Sequence, residues 1–95
     1  MFARVSRYEV PLGMLAEDVA GVDETAKKVA AMPGALGLYY LVDHDTGMTM
    51  SMTLWESEQA MHDSEAAADE LRAETSGAVS GRITSVERYE VVAHP

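Results

Sequence analysis

The side chains best suited to chemistry lie around the single tryptophan, Trp55. Ser51 and Thr53 precede it at steps of two, His62 follows it by seven positions, and Ser6 is a further hydroxyl in the first predicted strand. An indole offers a flat apolar wall to an aromatic ligand, and hydroxyls can orient such a ligand. An imidazole titrates near neutral pH and could act as a general base. Together these residue types point to a site for a small aromatic molecule.

The same residues also have plainer structural interpretations. A large aromatic such as Trp55 is usually a core anchor, and here it could close the corner between a strand and a helix. Asp63 and Glu65 lie close to His62 and indicate that this stretch is exposed. The three hydroxyls can orient a ligand only if their face of the sheet lines a cleft. Both interpretations of Trp55 stay open at this point.

Methionines form a second conspicuous set. Met48, Met50 and Met52 alternate with polar residues, and Met61 follows the tryptophan by six positions. Methionine fills irregular shapes, so these side chains could line an adaptable ligand pocket. The period of two in the first three predicts more simply one buried sheet face, which is either core or the interior of a dimer.

The composition excludes several classes of protein. The chain has no cysteine, so disulfides, zinc–thiolate centres and thiol catalysis are ruled out, and a reducing cytoplasm is the expected location. A net charge of −9 disfavours nucleic acid and anionic lipid as partners. No apolar run approaches the ~18 residues that span a membrane. We find no Ser–His–acid arrangement, no phosphate-binding glycine loop and no complete set of metal ligands.

The periodicity predicts six elements in one domain covering residues 1–95. Strands are predicted over residues 2–10, 36–43, 48–55 and 82–92, and helices over residues 14–32 and 57–76, with Ser57 as a cap and a second cap near residues 63–65. Right-handed crossovers fold the order β-α-β-β-α-β into a four-stranded antiparallel sheet with both helices on one face. The fold class is therefore α+β, a ferredoxin-like sandwich. The other face of the sheet would be bare, which predicts a homodimer.

Two stretches carry a resemblance to a known family. Pro33-Gly34 precedes the second strand, and Trp55-Glu56-Ser57-Glu58-Gln59-Ala60 joins the third strand to the second helix. With the whole β-α-β-β-α-β plan, these stretches resemble the antibiotic biosynthesis monooxygenase domain of the dimeric α/β-barrel superfamily. The family includes cofactor-free oxygenases of aromatic polyketide quinols, haem-degrading oxygenases, and members without an assigned activity. The resemblance implies a dimeric barrel with a cleft between the sheet and the helices of each subunit.

The resemblance also assigns expected site positions. The cofactor-free members place an asparagine four residues before the tryptophan and a tyrosine six after it, where this chain has Ser51 and Met61. The haem degraders place an asparagine in the first strand, where this chain has Ser6, and a histidine late in the second helix, where this chain has none between residues 66 and 76. The expected ligand contacts are Trp55, Ser51, Ser6, Met61 and Thr53, and the candidate catalytic residues are His62, Ser51 and Ser6.

Three functional hypotheses follow. The first is a small-molecule oxygenase that needs no cofactor and acts on an aromatic or polyketide-like substrate. The second is a dimeric binding module without turnover, which holds a small hydrophobic ligand or haem in the same cleft. The third is a protein of this fold that only dimerises. We expect no degradation of haem, because the histidine of the second helix is missing.

Overall fold

The computed structural model describes residues 1–79 and 81–94. The strands are β1 (Phe2–Glu9), β2 (Ala35–Val42), β3 (Met48–Trp55) and β4 (Arg82–Glu90), and the helices are α1 (Leu15–Ala30), α2 (Glu58–Asp63) and α3 (Glu65–Val79). All pairs are antiparallel, and the strand order across the sheet is β2-β3-β1-β4. The predicted α+β ferredoxin-like fold is confirmed.

Several element ends differ from the predicted bounds. Pro11 opens a single 3₁₀ turn over Leu12–Met14, so α1 begins one residue later than predicted. The predicted second helix breaks at Ser64 into α2 and α3, as its second cap indicated. Residues 77–79, predicted as loop, continue α3, and residue 80 of that loop lies outside the described residues.

The start of β2 departs from simple alternation. Ala35 pairs with Trp55, whereas Gly37 pairs with Leu54, so Leu36 is an extra, bulged residue. Simple alternation would place Leu36 on one face with Leu38, Tyr40 and Val42, but the bulge leaves it 54% exposed.

Gly34 brings the start of β2 close to helix α2. Its φ of +80° lies in the left-handed region that favours glycine, and a Cβ there would stand 2.5 Å from the Cβ of Ala60. Its carbonyl accepts a hydrogen bond from the backbone N–H of Glu56 at 2.9 Å. The Pro33-Gly34 turn is therefore held directly against the residues that follow Trp55.

The two faces of the sheet have different neighbours. The inner face packs against the helices and carries Ser6, Ser51, Thr53 and Trp55, whereas Met48, Met50, Met52 and Leu54 point the other way. We call this second side the open face; it also carries Ala3, Val5, Tyr39, Leu41 and Tyr89. The core alternative for the alternating methionines is thus wrong, and the dimer interior stays a prediction.

The buried core lies at both ends of the inner face. Trp55, Val29 and Met61 form one cluster beneath α1 and α2, and Tyr8, Val10 and Leu15 form the other. Between these two clusters the inner face of the sheet is left less filled. Within residues 1–79 and 81–94, no helix combines the length and apolar character needed to cross a bilayer.

Candidate functional site

A cavity of about 480 Å³ separates the inner face of the sheet from helix α1 and part of α3. This volume falls within the range of small-molecule sites, which is roughly 300–1,000 Å³. The sheet side of the cavity carries mainly hydroxyl side chains and the cation Arg4, and the helix side carries both apolar and charged side chains. Its described lining consists of Arg4, Ser6, Tyr8, Glu17, Asp18, Gly21, Val22, Glu24, Thr25, Lys28, Val29, Leu38, Tyr40, Ser51, Thr53, Ala68 and Leu71.

A row of hydroxyls crosses three strands at the sheet side of this cavity. Ser51 of β3 stands directly between Ser6 of β1 and Tyr40 of β2, because both are its partners in the strand register. Two residues along β3, Thr53 also lines the cavity, and its hydroxyl donates to the carbonyl of Arg4 at 3.4 Å. The row can supply several donors and acceptors to one face of a flat ligand.

Helix α1 contributes a buried acid to the opposite side. Asp18 is 3% exposed, and its Oδ2 accepts a hydrogen bond from the Tyr40 hydroxyl at 2.6 Å. Burial first, and then the hydrogen bond to Asp18, raise the pKa of Tyr40 well above its ordinary value. Tyr40 is therefore a neutral phenol that holds one carboxylate oxygen in place.

Arg4 is a buried cation at the other end of the cavity. It is 2% exposed, and its Nη1 donates at 3.0 Å both to the carbonyl of Met61 and to the hydroxyl of Ser64. The same nitrogen lies 3.5 Å from a carboxylate oxygen of Glu65, and its guanidinium carbon lies 5.1 Å from the centre of the Trp55 ring. Arg4 thus ties the break between α2 and α3 to the middle of the sheet.

Trp55 forms the corner behind this arginine. It is fully buried, and its indole N–H donates to the hydroxyl of Thr53 at 3.0 Å. The chain then turns into α2, whose predicted cap Ser57 accepts a hydrogen bond from the backbone N–H of Ala60 at 3.1 Å. The tryptophan is placed by its strand and by this cap, and it belongs to the core cluster.

The residues expected at a site from the sequence divide into three groups. Ser6, Ser51 and Thr53 line one cavity together. Trp55 and Met61 pack side by side in the core cluster and are not among the described lining residues. His62 lies on the exposed side of α2, away from the cavity, because Met61 takes the inward position beside it.

Sequence reasoning missed Asp18 and Tyr40 as a pair. A step of four from Leu15 would place Val19 on the apolar stripe of α1 and Asp18 beside it, but Val19 is 43% exposed and Asp18 is buried. The steps from Leu15 to Asp18 and from Asp18 to Val22 are three and four residues, which places this acid on the buried side of the helix. An acid at a position that continues the buried side of the helix is a signal from which this site residue could have been predicted.

Acidic and imidazole groups do not gather elsewhere in the described structure. Among residues 1–79 and 81–94, no three His, Asp or Glu side chains lie close enough to hold a metal ion. His44 lies in the exposed turn after β2, where Asp43 accepts hydrogen bonds from the backbone N–H groups of Asp45 and Thr46. His44 therefore belongs to a solvated turn, in which an aspartate side chain bonds to the backbone that follows it.

The fold is that of the antibiotic biosynthesis monooxygenase structures, several of which match the chain over its whole length. A Deinococcus radiodurans protein assigned to this group has a TM-score of 0.79 at 14% identity, covering 100% of this chain and 96% of that one. By sequence, no protein-family model and no curated protein matches the chain.

Two further structures with this fold have different stated activities. SnoaB from Streptomyces nogalater, a cofactor-independent oxygenase, has a TM-score of 0.71 at 21% identity, covering 98% of this chain and 94% of its own. MhuD from Mycobacterium tuberculosis, a haem degrader with two haems bound in its active site, has a TM-score of 0.71 at 24% identity, covering 100% and 99%. At these identities the likeness establishes the fold, and the resemblance drawn from the sequence pointed to the same structures.

Proposed function

We propose that the chain is a cofactor-independent oxygenase that binds a small aromatic or polyketide-like molecule in the cavity between the sheet and α1. The observation that carries the proposal is the cavity itself, which is lined by the hydroxyls of Ser6, Ser51 and Thr53 together with the hydrogen-bonded pair of Asp18 and Tyr40. SnoaB, which shares the fold, supports this class of reaction.

The chemistry requires little of the protein besides positioning and the removal of water. An electron-rich hydroxyaromatic, once deprotonated, can itself reduce oxygen; one oxygen atom enters the ring, and the other leaves as water with the two hydrogens displaced. The protein must hold the ring, accept a proton and keep water away from the anion. Apolar residues such as Val22, Val29 and Leu38 can hold the ring, and the hydroxyl row can contact its oxygens.

Oxygen uptake with an anthrone or a dihydroxynaphthalene tests this proposal. We expect uptake above the rate of the same compound in buffer, with the quinone as product. Ser51→Ala, which removes a hydroxyl from the cavity lining, should slow turnover more than Ser85→Ala, which removes one from the open face. Binding without any uptake above the buffer rate would contradict the oxygenase and favour the alternative below.

The alternative is a dimeric module that binds a small hydrophobic ligand or haem without turnover. It is favoured by the position of Trp55, which is in the core and not in the described lining. It is also favoured by Ser51 and Met61, which stand where the cofactor-free oxygenases that the chain resembles have an asparagine and a tyrosine. Haem fits the lining poorly, because no histidine is among the described lining residues and His44, His62 and His94 are all exposed. Steady loss of haem absorbance with ascorbate and oxygen would overturn this assessment.

We also propose that two copies pair through the open face. Tyr39 is 62% exposed, Leu41 48%, Met48 40% and Tyr89 52%, so the open face of a single chain presents several large apolar side chains to water. Arg7 and Tyr89 both hydrogen-bond to Glu87, which leaves this carboxylate partnered within the surface. A second copy would cover these side chains, and the two sheets would then form the dimeric α/β barrel that the family resemblance implies.

A further inference from the structure

One buried carboxylate at the cavity lacks a hydrogen-bond donor within the described part of the chain. Asp18 lines the cavity, and its Oδ2 accepts a hydrogen bond from the hydroxyl of Tyr40. Its Oδ1 is shielded from water and has no hydrogen-bond partner among residues 1–79 and 81–94. A buried carboxylate oxygen without a donor is unfavourable, so a ligand that brings a donor would remove this penalty.

We propose that Asp18 is the hydrogen-bond and proton acceptor for the hydroxyl group of a hydroxyaromatic ligand, with Tyr40 as its positioning residue. The proposal rests on the proposed function, since it names the substrate class and the proton acceptor of that same cavity. The terminal torsion of an aspartate is broad. A modest rotation can therefore turn Oδ1 toward the cavity while Tyr40 stays bonded to Oδ2.

The cavity lining carries charges of both signs. Lys28 and Arg4 are cations, Glu17 and Glu24 are acids, and Arg4 is already paired with Glu65, so these charges alone do not select between a hydroxyl and an ammonium donor. The hydroxyl follows from the proposed oxygenation, and Lys28 can attract the anion that remains after proton transfer. The apolar lining, including Val22 and Leu38, suits an aromatic ring.

The step itself is a proton transfer and is balanced without an oxidant. The O–H bond of the ligand breaks, and its electron pair stays on the ligand oxygen as a phenolate. The proton forms a new bond to an oxygen of Asp18, which becomes a neutral carboxylic acid. The phenolate is then the electron-rich species that the proposed oxygenation uses.

Three naphthalenes that differ in one group test the assignment by isothermal titration. We expect 1-naphthol to bind the wild-type chain at least about tenfold more tightly than 1-methoxynaphthalene, which is about 1.4 kcal/mol. 1-Naphthylmethylammonium should bind more weakly than the naphthol. Asp18→Asn should bring the naphthol and its methyl ether to nearly equal affinity, whereas Asp23→Asn, which removes an exposed acid from the same helix, should leave the tenfold preference intact.

A nitro-substituted naphthol reports the proton transfer, since its anion absorbs at a longer wavelength than the neutral compound. At a pH where the free compound is neutral, it should bind as the anion to the wild type and to Asp23→Asn. It should stay neutral when bound to Asp18→Asn. Binding as the neutral compound to the wild type would overturn the role of Asp18 as proton acceptor.

The remaining outcomes separate this inference from the proposed function. Equal wild-type affinity for the naphthol and its ether would overturn the assignment of Asp18 and leave the aromatic site standing. Failure of all three compounds to bind would overturn both proposals, and tighter binding of the ammonium would overturn the hydroxyaromatic class. The wild-type comparisons need no variant, so they decide the matter even if circular dichroism shows that Asp18→Asn does not fold.

Discussion

Replacing Trp55 by phenylalanine tests whether this residue acts mainly in the core. Its side chain is fully buried, its N–H donates to Thr53, and its ring lies 5.1 Å from the guanidinium carbon of Arg4. Phenylalanine keeps an apolar ring, removes the donor and leaves part of the volume unfilled. The substitution loses the hydrogen bond, which contributes about 1 kcal/mol, and the filled volume, which contributes about 1–2 kcal/mol. It also replaces the cation–π contact of Arg4 with tryptophan by a weaker one with phenylalanine, at a loss of about 0.5–1 kcal/mol. The free energy of unfolding should therefore fall by roughly 2.5–4 kcal/mol.

Urea unfolding followed by far-UV circular dichroism measures this change. Both proteins must be compared at one chain concentration, because dimerisation would otherwise alter the apparent stability. Val19→Ala, a truncation at a position of α1 that is 43% exposed, is the control and should change stability by about 0.5 kcal/mol or less. Ligand affinity should fall only modestly in Trp55→Phe, since this residue is behind the described lining. Unchanged stability with an affinity at least about tenfold weaker would refute the core role and make Trp55 a ligand contact.

Three further predictions concern the open face, its ion pair and the turn before β2. Light scattering at micromolar concentration should report twice the chain mass for the wild type. Met50→Lys, which places a charge on the open face, should report one chain mass. A monomeric wild type would contradict the dimeric barrel. Hydrogen bonds from Tyr89, then Arg7 and Ser85, lower the pKa of Glu87 from 4.5 to about 2. The folded state therefore gains stability above pH 4.5 that is lost as the pH falls toward 2, and Glu87→Gln should lessen the fall in melting temperature over that window. An equal fall in both proteins would contradict the role of this network. Gly34→Ala should reduce stability by at least about 1–2 kcal/mol, because alanine disfavours a positive φ and its Cβ would meet Ala60; an unchanged urea midpoint would count against that close approach.

The sequence by itself determined the elements and their order. Strict alternation from Met48 to Trp55 predicts a strand because successive side chains of a strand point to opposite faces. Pro33 and Gly34 follow the end of the first helix, Ser57 caps the second, and Ser64 divides it. Each signal acts within a few residues, so it can be read without knowing what lies across the molecule. The order β-α-β-β-α-β then leaves few topologies, and the observed sheet is one that the connection rules favour.

Only the tertiary structure decided which side chains share the cavity. Alternation in β3 separates Ser51 from Met50, but both faces carry side chains that could be buried, and the choice depends on where the helices pack. The pairing of Asp18 with Tyr40 joins positions 22 residues apart, and it depends on the rotation of α1 about its own axis. That rotation is set by long-range packing between helix and sheet. A local pattern records only the spacing of residues along the chain, so it identifies a helix or a strand but not what each face will contact.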